Sequence, residues 1–89
     1  MLTIQGIVEG KVQGVGFRYF IKRHAGTHKV LGYAKNLANG TVEFLLQGEE
    51  KRVKAVVAEI KRGPKFSDVA NVTSKVRSAV NTLYGFEVL

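Results

Sequence analysis

Residues 10–18 read GKVQGVGFR, and the hydrophobic period of the chain changes across them. Before the stretch, Leu2, Ile4 and Val8 alternate with Thr3, Gln5 and Glu9. That two-residue repeat belongs to a strand with one buried face, and it predicts a strand ending near Glu9. After the stretch, Phe17, Phe20, Ile21 and Ala25 recur at helical spacing. They predict a helix from close to Arg18 to about Thr27, its last turn weakened at Gly26 by roughly 1 kcal/mol relative to alanine. Between the two elements lie glycines, followed at once by a fixed positive charge.

The rest of the order follows by the same reasoning. A strand is expected over Leu31–Asn36, then Asn39-Gly40, the dipeptide that best supplies the two positive φ angles of a type I′ hairpin turn. Val42, Phe44 and Leu46 alternate with Thr41 and Glu43 in the return strand, which Gly48 ends. Val53, Val56, Val57 and Ile60 fall at i, i+3, i+4 and i+7, with Glu49 and Glu50 at the start and Lys61 and Arg62 at the end, as a helix dipole prefers. Gly63-Pro64 stops this second helix. Val69, Val72 and Val76 predict a strand over Asp68–Val76, and a short last strand is expected over Tyr84–Leu89. The order βαββαβ, with an extra strand, describes an α+β ferredoxin-like sandwich: two helices on one face of a four- or five-stranded, mostly antiparallel sheet.

Composition narrows the class. With 89 residues, 45% of them hydrophobic, the chain suits one domain spanning residues 1–89. It has no cysteine, which excludes disulfides and thiolate metal sites. The longest apolar runs are a few residues and no charged leader precedes a hydrophobic stretch, so a cytoplasmic protein with no membrane span and no membrane partner is expected. The basic clusters Lys51-Arg52, Lys54 and Lys61-Arg62 of the second helix read most simply as a solvated face. Fourteen lysines and arginines against seven carboxylates give +7, a field that draws anions without naming them.

In a split βαβ unit the first two strands run parallel with the third between them, so their carboxyl ends share one edge of the sheet. The loop Gly10–Gly16 leaves the first strand at that edge, and Asn36 closes the second. Loop and asparagine should face one another. Glycines let consecutive N–H groups turn inward, and the following helix adds unpaired amides and about half a positive charge. Such a cradle fits a tetrahedral dianion, and Arg18 at the helix start can grip two of its oxygens with a planar fork of donors. The stretch has no G-K-[S/T] ending and no G-x-G-x-x-G, so it is neither a nucleotide P-loop nor a dinucleotide fingerprint.

G-K-V-Q-G-V-G-F-R closely resembles the acylphosphatase signature G-x-V-Q-G-V-x-F-R. G-Y-A-K-N followed by N-G-T-V-E resembles that family's G-[W/Y]-x-x-N and D-G-x-V-E segment. Gly63-Pro64 with Val69 and Val72, and the closing aromatic strand around Phe86, extend the match in family order over nearly the whole chain. The resemblance implies a metal-free, cofactor-free enzyme that hydrolyses the carboxyl-phosphate bond of acyl phosphates. Inorganic phosphate would be product and inhibitor, and the enzyme a monomer. By direct match Arg18 binds the phosphate together with main-chain amides of Gln13, Gly14, Val15, Gly16, Phe17 and Arg18, and Asn36 orients the attacking water. Departures stand at Asn39, where the family has aspartate, and at His28, Lys29 and Val30, where it has Leu-Gly-Leu. The missing glycine bears on the end of the first helix. Ala34 and Ser67 are milder exchanges.

Three alternatives compete. His24 and His28 share a helix face but lack the H-E-x-x-H pattern and a suitably placed carboxylate, which disfavours zinc. An RNA-recognition module shares the element order but needs aromatics on the open face of its central strands. Here Phe44 shares a side with Val42 and Leu46, so no nucleic-acid partner is expected. An acylphosphatase-like domain of a larger carbamoyl-transferring protein would continue into cysteine-rich modules.

Overall fold

The computed structural model describes all residues, Met1–Leu89. Five strands and two helices follow in the order β1 (Leu2–Lys11), α1 (Phe17–Thr27), β2 (Leu31–Asn36), β3 (Val42–Gly48), α2 (Glu50–Arg62), β4 (Asp68–Val76) and β5 (Phe86–Val88). The sheet order is β4-β1-β3-β2-β5, with β2 and β5 parallel and the other pairs antiparallel. This is the expected ferredoxin-like sandwich with five strands. No helix is long and apolar enough to cross a membrane.

Two periodicities meet in one core. From the sheet, Ile4, Val8, Ala34, Val42, Phe44 and Leu46 point toward the helices; from the helices, Phe17, Ile21, Ala25, Val53, Val56 and Ile60 point back. Phe44 is fully buried in this layer, opposite Gly6 on β1. The face of β1 and β3 turned away from the helices carries Gln5, Ile7, Glu43 and the buried Leu45, and its neighbour Tyr33 on β2 is tied down by the Gln5 amide at 3.1 Å. β1 and β3 therefore present no aromatic pair of the kind on which RNA bases stack.

β4 and β5 lie at opposite edges, so the segment joining them must cross the open face. Gln47 anchors the crossing. Its amide donates to the Val80 carbonyl at 2.8 Å, and its oxygen accepts from the Val80 N–H at 2.8 Å and from the Thr3 hydroxyl at 2.7 Å. Gln47 is buried yet fully partnered, as a buried polar group must be.

Two local expectations need correction, at the end of β1 and in the β2–β3 turn, and the last strand is shorter than expected, Phe86–Val88 in place of Tyr84–Leu89. β1 runs two residues beyond Glu9 because β4 pairs with it through Gly10–Val69 and Lys11–Asp68, after a register shift at Glu9/Gly10. Gly10 is therefore a strand residue. A side chain on it would collide with the Asp68 carbonyl.

The β2–β3 turn is not type I′. Only Gly40 has a positive φ, 90°, and Asn39 does not. The Gly40 N–H donates to Leu37 and the Leu37 N–H to Thr41, a three-residue connection with a single left-handed position. Asn39 instead uses its side-chain oxygen to accept from both the N–H and the hydroxyl of Thr41.

At the end of α1, Lys29 occupies the left-handed position with φ 56°. The Lys29 N–H donates to Gly26 and the Val30 N–H to Ala25, with Val30 and Ala25 both buried. This is a Schellman cap in which lysine stands where glycine is favoured. The geometry survives the departure, and backbone strain is its cost.

Candidate active site

β1 and β2 flank β3 and run parallel, so the loop after Lys11 and the residue Asn36 emerge at one edge of the sheet. α2 also returns to this edge, since Gly63 beyond its end packs against the ring of Phe17, the first residue of α1. Phe17 is 2% exposed and roots the loop in the core.

Gly14 (φ 73°) and Gly16 (φ 77°) hold left-handed conformations. A β-carbon at either would meet nothing. Crowding therefore does not select glycine here; backbone conformation does, and the space beside it stays open for a ligand. Gly16 caps α1 with no side-chain bond, and no acidic residue occupies the first turn. The first helical bond of this segment runs from the Phe20 N–H to the Gly16 carbonyl. From Gln13 through Tyr19 no backbone N–H has an acceptor within the protein. A run of unpartnered donors at the positive end of a helix has the geometry and the charge that an anion would complement.

Gln13 does more than contribute an amide. Its side-chain nitrogen donates to the Leu37 carbonyl at 2.8 Å and to the Thr41 carbonyl at 2.9 Å. Both carbonyls belong to the turn just after Asn36. The glutamine is thus a strut between the loop and the end of β2.

Arg18 is half-buried, and its Nη1 donates to the Leu89 carbonyl at 3.0 Å. The Asn36 N–H reaches the same oxygen at 3.4 Å. One acceptor beyond β5 thereby ties the guanidinium to the asparagine backbone. The carboxamide of Asn36 makes no hydrogen bond within the protein and is free for a ligand or water.

All the residues expected at the site come to this one edge. The Gln13 strut and the Leu89 carbonyl were not foreseen. V-Q-G-V is silent on where its glutamine side chain goes, and a carbonyl carries no residue signature. His24 is a packing residue: it stacks edge-on against Phe20 at 4.6 Å and lies 3.4 Å from Glu59. No group of three or more His, Cys, Asp or Glu side chains gathers anywhere in the protein.

The family model described as acylphosphatase matches residues 4–88. An acylphosphatase of Bacillus velezensis is 45% identical over 73 residues, covering 82% of this chain and 81% of that protein. One of Caldivirga maquilingensis is 42% identical over 88 residues, covering 98% and 93%. The crystal structure of acylphosphatase from Bacillus subtilis superposes with a TM-score of 0.95 at 36% identity, covering all of this chain and 99% of that one.

Proposed function

Since the chain belongs to the acylphosphatase family and is a hydrolase acting on acyl phosphates, we propose that the Gln13–Arg18 cradle holds the phosphoryl group while Asn36 holds the water that attacks it. The observation that carries this assignment is the run of unpartnered N–H groups from Gln13 to Tyr19, set beside Arg18 and the free carboxamide of Asn36.

The phosphoryl oxygens accept from the loop amides and from the Arg18 fork, which a planar guanidinium supplies in pairs. Arg18 gives up or shares its bond to the Leu89 carbonyl when the anion arrives. Asn36 is neutral and cannot take a proton at pH 7, so its carboxamide aligns the water and no more. The water oxygen forms a bond to phosphorus as the bond from phosphorus to the acyl oxygen breaks. The electron pair leaves with the carboxylate, and the proton of the water passes to a phosphoryl oxygen. A carboxylate is a good leaving group, so positioning and charge stabilisation can carry the rate without a strong base, a cofactor or a metal.

The same reading makes inorganic phosphate a competitive inhibitor, and it describes a monomeric, single-domain, cytoplasmic enzyme with no nucleic-acid partner. The test is release of phosphate from benzoyl phosphate in excess EDTA. Turnover is expected to persist and to be inhibited competitively by phosphate. Loss of turnover on chelation, restored by a divalent ion, would refute the metal-free mechanism.

A further inference from the structure

The net positive charge of this protein lies on one side. The helices with their flanking turns, residues 16–30 and 49–65, hold ten of the fourteen lysines and arginines and three of the seven carboxylates. The sheet and its other loops hold four of each. The full +7 therefore lies on the helix layer, and the sheet side is neutral.

The three helix-layer carboxylates are already engaged. Glu49 lies 3.5 Å from Arg52, Glu50 lies 2.8 Å from Lys54, and Glu59 lies 2.8 Å from Arg62 and 3.4 Å from His24. Apart from Arg18 in the cradle, this leaves Lys22, Arg23, Lys29, Lys51, Lys61 and Lys65 exposed and without an ion pair. Of the exposed aromatic side chains, Tyr19 (63%) and Phe66 (72%) stand on this layer or at its margin, with the Lys65 ammonium 5.6 Å from the Phe66 ring centroid, while Tyr84 (94%) stands in the segment that crosses the sheet, away from the free cations.

We propose that the helix layer docks the protein on an anionic lipid surface. Five of the six free cations are lysines, strongly hydrated point charges on flexible stems that suit a diffuse headgroup field better than paired recognition of single phosphates. Exposed aromatics beside lysines match the interfacial zone of a bilayer, where rings bury and ammonium groups stay wet.

A single-stranded polynucleotide calls for a basic groove lined with stacking rings. The helix layer has none. One cavity, of about 360 Å³, lies on the open sheet face around Gln5, Glu43 and Lys75. The other, of about 570 Å³, runs between α2 and β4 and is lined by Leu2, Ile4, Val57 and Val76 together with Glu50, Lys54 and Lys61, but by no ring on which a base could stack. Tyr19 follows Arg18 directly, so docking brings the lipid surface to the rim of the cradle.

The inference stands independently of the catalytic assignment and is tested with the whole chain by sedimentation. The vesicles are sucrose-loaded, either phosphatidylcholine alone or phosphatidylcholine with roughly 30 mol% phosphatidylserine. Binding is expected to the acidic vesicles only and to disappear at about 0.5 M salt. Each of Lys22→Gln, Lys51→Gln and Lys65→Gln should weaken it by about fivefold, and the three together by about a hundredfold. Lys75→Gln on the sheet side should leave it unchanged. Circular dichroism on each variant separates loss of charge from loss of fold. Three outcomes would each overturn the proposal: equal binding to neutral vesicles, a Lys75→Gln effect as large as the helix-layer effects, or binding of oligouridylate without binding of acidic vesicles.

Discussion

Replacing Gln13 by leucine removes one side-chain nitrogen and with it two hydrogen bonds, to Leu37 at 2.8 Å and Thr41 at 2.9 Å. Neither carbonyl is then orphaned. Leu37 still accepts from the Gly40 N–H at 3.1 Å, and Thr41 from the Leu37 N–H at 2.9 Å. The penalty for a stranded buried acceptor does not apply, and the loss is the net worth of two ordinary bonds, about 1–2 kcal/mol in total. For a domain of this size that lowers Tm by roughly 5–15 °C. The kinetic effect is larger. Asn36 stays paired with Val42 in the sheet, but without the strut the loop loses its direct side-chain link to the turn after Asn36, leaving the Leu89 oxygen shared by Arg18 and the Asn36 N–H, at 3.0 and 3.4 Å. On the proposed assignment, a displacement of Asn36 by about 1 Å relative to the bound phosphoryl group costs on the order of a hundredfold in kcat. Arg18 and the loop amides are untouched, so phosphate should inhibit as before. Thermal unfolding by circular dichroism, steady-state hydrolysis of benzoyl phosphate and phosphate inhibition give the three readouts. A Gln13→Leu protein destabilised by the expected amount but with kcat within about twofold of the parent would show that the strut stabilises the fold without positioning Asn36.

Asn36→Ala should lower kcat by about a hundredfold to a thousandfold with little change in the phosphate inhibition constant. A folded Arg18→Lys protein should lose both, because a point charge cannot replace the fork; parallel kinetics on the two variants check the division of roles. Lys29→Gly relieves the left-handed strain at the end of α1 and should stabilise the protein by about 1 kcal/mol, after allowing for the greater freedom of glycine in the unfolded chain; urea unfolding of both forms measures it. Burial, and after it the nearby Glu43 carboxylate, holds the Tyr33 hydroxyl above its ordinary 10.0. The unfolded chain therefore releases that proton first, and this contribution to stability is full below about pH 10 and is lost as pH rises through the folded value. Tyr33→Phe should flatten the alkaline fall in Tm relative to the parent, and identical profiles would dismiss the effect.

Much of this was legible in the residues themselves, for a local reason. Apolar side chains at a spacing of two or of three to four declare which element they belong to and which face is buried, and this needs no knowledge of neighbours. Hence Leu31–Asn36 and Asp68–Val76 were foreseen with their observed ends, and Phe44 on the helix side. The edge shared by the loop and Asn36 followed from strand order, because a split βαβ unit leaves little choice. The turn at Asn39-Gly40 was misjudged because a dipeptide preference competes with a side chain that can bond forward, and Asn39 takes the bond to Thr41.

Long-range contacts were not legible. The strut from Gln13 to Leu37 and Thr41, the crossing segment held by Gln47, the Leu89 carbonyl shared by Arg18 and Asn36, and the gathering of all the net charge on the helix layer join residues far apart in the chain. Which glutamine amide meets which carbonyl depends on strand register and edge order, quantities set by the closing of the whole sheet. Local periodicity decided which faces are buried. Only the tertiary structure decided what lies opposite each polar group, because a hydrogen bond is satisfied by geometry in space and leaves no spacing in the sequence.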